Sequence, residues 1–412
     1  MAIAKYGMVQ LWQKNFNRSM TAIALGLALL SLTIWIILLG FRGQFWRANQ
    51  RLDVQNINLE SWPNICAIIP ARNEADLLPV TLRSLFNQNY PGNFHIILVD
   101  DNSTDGTGDY ARGVAYALDK ISQLDIVFGE ALPPGWSGKL WAVAQGIKHA
   151  EKLNNLPDYF LITDADIQHH STNLRELVIK SQVDNVDLVS LMVLLRCESF
   201  WEKLLIPAFV FFFQKLYPFP WVNNPQKTIA AAAGGCMLIR RETLQQVGGI
   251  EIIKQALIDD CALGQAVKSQ GNIWLGLTNL TRSLRPYPNL STIWDMVARS
   301  AFTQLNYSSL LLLGTLIGMS IIYIVSPVSA ILGIINNNWL IAIVGLLGWL
   351  LMGLAYLPTI KLYGISFWWA FSLPIIAVLY TLMTFDSAWR HWQGKGGAWK
   401  GRVYNEKIMG NK

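Results

Sequence analysis

The chain has 412 residues, 52% of them hydrophobic and 15% charged, with a mean hydropathy of +0.30, which is too apolar for a disordered chain or an ordinary soluble enzyme. Residues 1–52 carry six Lys and Arg and no acid, 53–299 carry twenty bases against twenty-five acids, and 387–412 carry six bases against Glu406. The basic excess thus sits beside apolar segments, where anionic lipid attracts it, and nucleic-acid binding is disfavoured.

Ser19 to Phe41 is uncharged and lies between Arg18 and Arg42. At about 1.5 Å of rise per residue it covers a bilayer core of about 30 Å. Lacking the short apolar core and the cleavage site of a signal peptide, it predicts a retained anchor. Beyond it, Ile65–Ile69, Ile96–Val99, Ile126–Phe128 and Tyr159–Thr163 predict short buried strands, with helices over 76–88, 105–119, 139–152 and 171–182. Strand and helix in alternation make βαβ units, hence an α/β fold with a mainly parallel, Rossmann-like sheet covered on both faces. Ligands of such sheets bind beyond the carboxyl ends of the strands. Arg72–Glu74, Asp100–Asp101 and Asp164–Asp166 fall there and are expected to line one crevice. Cys66, Cys197, Cys236 and Cys261 show neither a CxxC pair nor a His partner at zinc spacing and read as buried thiols of a reducing compartment.

Leu204–Phe213, followed by Leu216–Trp221, is apolar but too short to span. Runs of this length suit interfacial or re-entrant segments, with a buried core helix as the competing reading. From Ser300 to Ile360, and again from Leu362 to Phe385, no residue is charged. Apolar segments near 308–335, 339–357 and 367–385 result, with Trp339, Trp368, Trp369 and Trp389 at their ends, as interfacial aromatics stand. A multi-pass membrane protein is expected. Its regions are an N-terminal tail and anchor over 1–52, a catalytic domain over 53–299, a C-terminal membrane region over 300–386 and a basic tail over 387–412. Three full spans after a cytoplasmic domain would put the tail Arg390–Lys412 outside, against the positive-inside rule. A re-entrant or interfacial 367–385 keeps it cytoplasmic, which is the expectation taken.

Asp164 and Asp166, at i and i+2 straight after a buried strand, are costly to place together unless a cation neutralises them. Mg2+ or Mn2+, held by one or two carboxylates and completed by substrate phosphates, meets that need; a solvated surface turn is the competing reading. Asp100 and Asp101 end a strand where they can accept hydrogen bonds from a base or ribose, and Asp105 caps the helix that follows. Gly135-Trp-Ser-Gly-Lys139 sets a cation ahead of a helix and suits a diphosphate, or is an ordinary loop with an exposed lysine. His169 and His170 rank below the carboxylates, as solvated residues at a helix start.

In chain order, Pro70-Ala-Arg-Asn-Glu74, Ser84-Leu-Phe-Asn-Gln-Asn-Tyr-Pro91, Val99-Asp-Asp-Asn-Ser-Thr-Asp-Gly-Thr107, Gly138-Lys139, Asp164-Ala-Asp166, Gly234-Gly-Cys-Met-Leu-Ile-Arg-Arg241 and Ile258-Asp-Asp-Cys-Ala-Leu263 resemble the family 2 glycosyltransferases of the GT-A fold, over about 64–300. Ser283-Leu-Arg-Pro-Tyr-Pro288 and Trp294–Gln304, with the C-terminal apolar segments, look more narrowly like the hopene- or hopanoid-associated membrane glycosyltransferases. The resemblance implies an inverting enzyme using a nucleotide-diphosphate sugar, foremost a UDP-sugar. Glu74, Asp100 and Asp101 would lie in the nucleotide pocket, Asp164 and Asp166 would form the metal-binding DxD, and Asp260 would be the general base, with Asp259 where Glu is usual. Arg299 falls where processive relatives carry the Arg of QxxRW, but Met296 and Ser300 break that motif, so a polysaccharide synthase is disfavoured.

Displacement at an anomeric carbon needs the departing diphosphate charge offset and a base within reach of the acceptor hydroxyl. Asp164 and Asp166 with Lys139 supply the first, and Asp260 supplies the second; Arg299 either meets the diphosphate or anchors the membrane-facing helix. The expected acceptor is a membrane lipid, hopanoid-like or otherwise isoprenoid-derived, reached along the 204–221 segment. Alternatives are a polyprenyl-phosphate sugar synthase, a polysaccharide synthase, or a catalytically silent membrane scaffold of GT-A shape. Nucleotide sugars as donors require the catalytic domain to face the cytoplasm and the N-terminus to lie outside.

Overall fold

The computed structural model describes residues 2–55, 57–394, 398–399 and 402–403. The expected basic tail beyond residue 394 lies, those two short stretches apart, outside the described residues. Helix α1 (Ala2–Phe41) ends in the apolar stretch Arg18–Phe41. Strand β1 (Arg51–Leu52) joins the sheet just ahead of the expected domain start at 53.

Alternating apolar side chains build the sheet. In β2 (Ile65–Ala71) every residue is buried. Cys66 and Ile68 enter one hydrophobic cluster while Ile65, Ala67 and Ile69 enter another, the two-residue period of a strand covered on both faces. β3 (Phe94–Asp100) runs parallel to β2 from Ile65↔Phe94 to Ala71↔Asp100. β4 (Leu124–Phe128) lies outside β3, and β5 (Tyr159–Thr163) flanks β2 on its other side. The helices α2 (Leu78–Phe86), α3 (Thr107–Ala117) and α4 (Gly138–Ala150) fall within two residues of their expected bounds.

The remaining half of the domain is less regular. It contains β6 (Ile167–His169), α5 (Asn173–Val183), β7 (Leu188–Leu194), α6 (Phe200–Leu216), α7 (Phe219–Val222), β8 (Cys236–Arg240), α8 (Arg241–Gln246), α9 (Asp259–Lys268) and β9 (Ile273–Ser283). The sheet order is β1-β9-β7-β8-β5-β2-β3-β4, with β6 paired to β9. β8 is antiparallel to both β5 and β7, so the sheet is mixed but mostly parallel. β2, β3 and β5 all point the same way and end just before Arg72, Asp101 and Asp164, which puts the expected site residues along one edge.

After α10 (Leu290–Ala298) come α11 (Ser309–Met319), α12 (Val325–Ile335), α13 (Trp339–Leu362) and α14 (Leu373–Trp392), a π turn joining α11 to α12. Among the described residues four helical stretches are long and apolar enough to cross a membrane, 18–41, 309–335, 339–362 and 367–392. Gly333, Gly345 and Gly348 let α12 and α13 approach, since a Cβ at those positions would collide with Ala342, Ala330 and Ser326.

Two further features stand where the apolar helices meet the sheet. The first is α6, which packs between the two, burial that the competing reading of 204–221 anticipated. Leu205, Ile206, Ala208 and Phe211 are fully buried, Val210 packing into the sheet core and Phe211 into the membrane-helix cluster. A capping box at Ser199 and Glu202 starts it. The second is the course of 363–392. Leu362 and Tyr363 pack against the sheet core, and Trp349 of α13 donates its indole N–H to Phe371 O at 3.3 Å. At the far end of α14, Asp386 accepts from Trp294 Nε1 and Arg390 pairs with Asp295, both at 2.7 Å. The segment leaves the sheet core at Tyr363, reaches the middle of α13 and comes back to α10.

Candidate active site

The edge of the sheet is organised first by turns. Asn73 and Asn102 adopt left-handed backbone conformations (φ 52° and 55°), which Asn tolerates better than most residues. Asn73 Oδ1 accepts from Thr104 N at 2.8 Å and Asn73 N donates to Ser103 Oγ at 3.0 Å. Asp105 accepts from Ala75 N and Thr107 N, each at 3.0 Å, so it staples the two loops, as its structural reading requires. Asp100 Oδ1 accepts from Ser103 N at 2.9 Å within the same turn. Asp101 is 1% exposed and lies 3.7 Å from Arg72. These acids line the same edge of the sheet as Asp164 and Asp166.

Those carboxylates gather around two cations. Ser137 caps α4 by accepting from Leu140 N, placing Lys139 in its first turn with Nζ 2.9 Å from Asp164 Oδ1 and 3.4 Å from Asp259 Oδ2. Burial works against the ammonium charge, but Asp164 and Asp259 outweigh it and hold Lys139 protonated well above the ordinary lysine range. It is therefore not the exposed loop lysine of the competing reading. Across the cleft, Arg285 Nε donates to Asp166 Oδ2 and Nη2 donates to Glu74 Oε1, both at 2.6 Å. Asp166 is 7% exposed; burial and then the charge of Asp164 push its carboxyl above the usual range, against the pull of Arg285.

Asp260 opens α9. Its Oδ2 accepts from Gly234 N at 2.8 Å and its Oδ1 from Cys261 N at 2.7 Å. A Cβ at Gly234 would stand 3.4 Å from both Asp260 Oδ2 and Lys139 Nζ, so this glycine leaves open the space that Asp260 and Lys139 share. Enclosure, then the charge of Asp259, raises Asp260 to about 6, a useful value for a general base near neutral pH. Behind it, Tyr217 at the end of α6 accepts a 2.6 Å hydrogen bond from Gln304 Nε2.

Glu74, Lys139, Asp164, Asp166 and Asp260 thus come together, and Asp100 and Asp101 adjoin them. Arg299 does not join: it is exposed at the C-cap of α10, with no ion pair among the described residues. His169 overturns its expectation. It is buried, its ring hydrogen-bonded to Thr163 and Asn173, each at 3.1 Å, and burial pushes it down to about 3; it is a neutral strut beneath the site, whereas His170 is exposed. Arg285 was missed as a site residue. Its signal was an arginine between a strand and two prolines, a place with no helix face to solvate it. Among the described residues no three His, Cys, Asp or Glu side chains converge as a ready metal cage. The donor set is two mutually repelling carboxylates, Asp164 and Asp166, which suits an ion completed by ligand oxygens.

Residues 66–248 match the family model described as glycosyl transferase family 2. A probable glycosyltransferase, YdaM, of Bacillus subtilis (strain 168) is 32% identical over 100 residues, covering 22% of this chain and 24% of that protein. The 4,4'-diaponeurosporenoate glycosyltransferase of Staphylococcus haemolyticus is 29% identical over 122 residues, covering 30% and 29%. The chain thus spans about a quarter of the length of the curated relatives it matches. Among solved structures, the mannosyltransferase PcManGT from Pyrobaculum calidifontis, in complex with GDP-Man and Mn2+, aligns over 70% of this chain and 73% of its own with TM-score 0.46 and 19% identity. Residues 66–248 are a glycosyltransferase domain of family 2, on a mixed, mostly parallel α/β sheet of GT-A type.

Proposed function

We propose that the chain transfers a sugar, with inversion, from a nucleotide-diphosphate sugar to a hydroxyl of a membrane lipid, hopanoid-like or otherwise isoprenoid-derived. The observation that carries this reading is the shared space at Gly234, where Asp260 and Lys139 face each other beside Asp164 and Asp166. Asp260 takes the acceptor proton as the acceptor oxygen bonds to the anomeric carbon. The bond from that carbon to the diphosphate breaks, and Lys139 offsets the charge that departs. Mg2+ or Mn2+ held by Asp164 and Asp166 would supply further electrostatic stabilisation to the leaving diphosphate. Glu74, Asp100 and Asp101 bind the nucleotide side.

The acceptor side of the proposal is supported by the link between Asp260 and the membrane helices. Tyr217 joins the end of α6 to Gln304 just ahead of α11, so a hydroxyl at the lipid surface has a short path to the base. The name of one relative, a 4,4'-diaponeurosporenoate glycosyltransferase, agrees with a non-carbohydrate acceptor. The return of 363–392 to α10 supports a re-entrant segment, a tail on the catalytic side and, with nucleotide sugars as donors, a cytoplasmic catalytic domain with the N-terminus outside. Membranes containing the chain, incubated with radiolabelled UDP- and GDP-sugars, are expected to accumulate label in a discrete neutral glycolipid. Label in polymer or in an acid-labile phosphate-linked sugar would replace this acceptor, and no transfer from any donor would favour a silent scaffold.

A further inference from the structure

One charged group at the site has no part in that scheme. Arg285 grips two acids at once, Asp166 and Glu74, each through a 2.6 Å hydrogen bond. The loop that carries it is fixed on both sides. Leu284 N donates to Asp166 O at 2.8 Å, and Tyr287 N donates at 2.7 Å to Oε1 of the fully buried Glu202. Pro286 and Pro288 remove backbone freedom between and beyond these ties. Only the side chain is at liberty, and it is the exposed member of the cluster: 32% for Arg285 against 9% for each of its partners.

A guanidinium fork fits a diphosphate as well as it fits two carboxylates. Asp166 Oδ2, which Arg285 holds, belongs to the carboxylate that a divalent ion at the Asp164–Asp166 pair would bind. A divalent ion on that carboxylate would repel the guanidinium beside it. We infer that Arg285 is the resident counter-cation of the diphosphate site, holding Asp166 and Glu74 and exchanging Asp166 for the donor's diphosphate when a divalent ion takes that carboxylate. This inference rests on the nucleotide-sugar reading of the cleft.

The test uses the full-length protein in lipid nanodiscs and two binding measurements that need no turnover. Mn2+ binding without nucleotide is followed by loss of the free-ion paramagnetic resonance signal, and UDP and GDP binding at saturating Mn2+ by calorimetry. Arg285→Gln is expected to bind Mn2+ about tenfold more tightly, because the competing cation is gone, and the preferred nucleotide about tenfold more weakly. Opposite signs in the two measurements are the signature; a merely structural arginine would weaken both. Both affinities unchanged, or both weakened, overturns the assignment. Should Arg285→Gln melt well below the wild type, Arg285→Lys decides: it keeps the charge and loses the fork, so unchanged nucleotide affinity overturns the inference and a several-fold loss upholds it. A wild-type protein that binds neither Mn2+ nor UDP nor GDP would instead remove the nucleotide-sugar reading itself.

Discussion

The two cations of the site are held in opposite ways. Lys139 stands in the first turn of a regular helix, between Asp164 and Asp259, and its surroundings keep it charged. Arg285 stands on an irregular loop, tied down by backbone bonds to Asp166 and Glu202, with its fork reaching into the cleft. A fixed point charge beside the base suits the moment of bond breaking, whereas a fork on a loop suits exchange between ligands. On the proposed reading the two sides of one cleft divide the work between reaction and binding, and substitutions on each side should separate along that line.

The largest expected loss is on the Lys139 side. Asp260→Asn keeps the shape and one of the two acceptor oxygens but removes the proton acceptor, and should lower kcat about 10³-fold with nucleotide binding retained. Unchanged transfer in labelled-donor assays would end the assignment of Asp260. Lys139→Met should follow at about 10²-fold in kcat. If it raised KM alone, Lys139 would be a binding group and the contrast with Arg285 would collapse. Chelation of divalent ions should stop transfer and Mn2+ restore it, read in the same assay.

How the sequence foretold one side and not the other has a physical basis. The Lys139 side rests on elements with strong local signals: the apolar strand Tyr159–Thr163, whose end must present Asp164, and the Gly–Lys helix start. Their period and their caps are local properties, so β2, β3, β5 and α4 were readable within two residues. The Arg285 side depends on β9 returning beside β6, with Ile167 opposite Ser283. That pairing joins residues far apart in the chain, and no periodicity announces it. His169 failed for the same reason: its burial comes from Thr163 and Asn173 closing over it. In the membrane half, hydropathy located all four apolar helices but not the burial of α6, because an apolar run looks the same against lipid as against protein.

A smaller effect tests how the Arg285 loop is held. Glu202 is wholly buried and accepts from the backbone N–H groups of Glu198, Ser199 and Tyr287 while pairing with Arg196. Glu202→Gln should cost about 2 kcal/mol of stability, seen as a lower midpoint of thermal unfolding in detergent. It should also raise donor KM more than it lowers kcat, since the loop carries Arg285 and not the base. Equal changes in both would mean that the two sides of the cleft move together.

The smallest effect concerns pH. Asp260 works as a carboxylate, and its enclosure and Asp259 raise it to about 6, so kcat/KM should fall as pH drops through about 6 and stay level above that limb. Asp259→Asn removes the neighbouring like charge and leaves Lys139 one fewer carboxylate to share, and both changes favour ionised Asp260. The acid limb should therefore move to lower pH. At pH 6, where about half of the wild-type base is protonated, the gain relative to each protein's own plateau is at most about twofold. The midpoint of the limb is the measure and not the plateau, because Asp259 also pairs with Lys139. A limb that stays in place in Asp259→Asn would show that Asp260 takes its raised value from enclosure alone, and that the Lys139 side does not tune the base it faces.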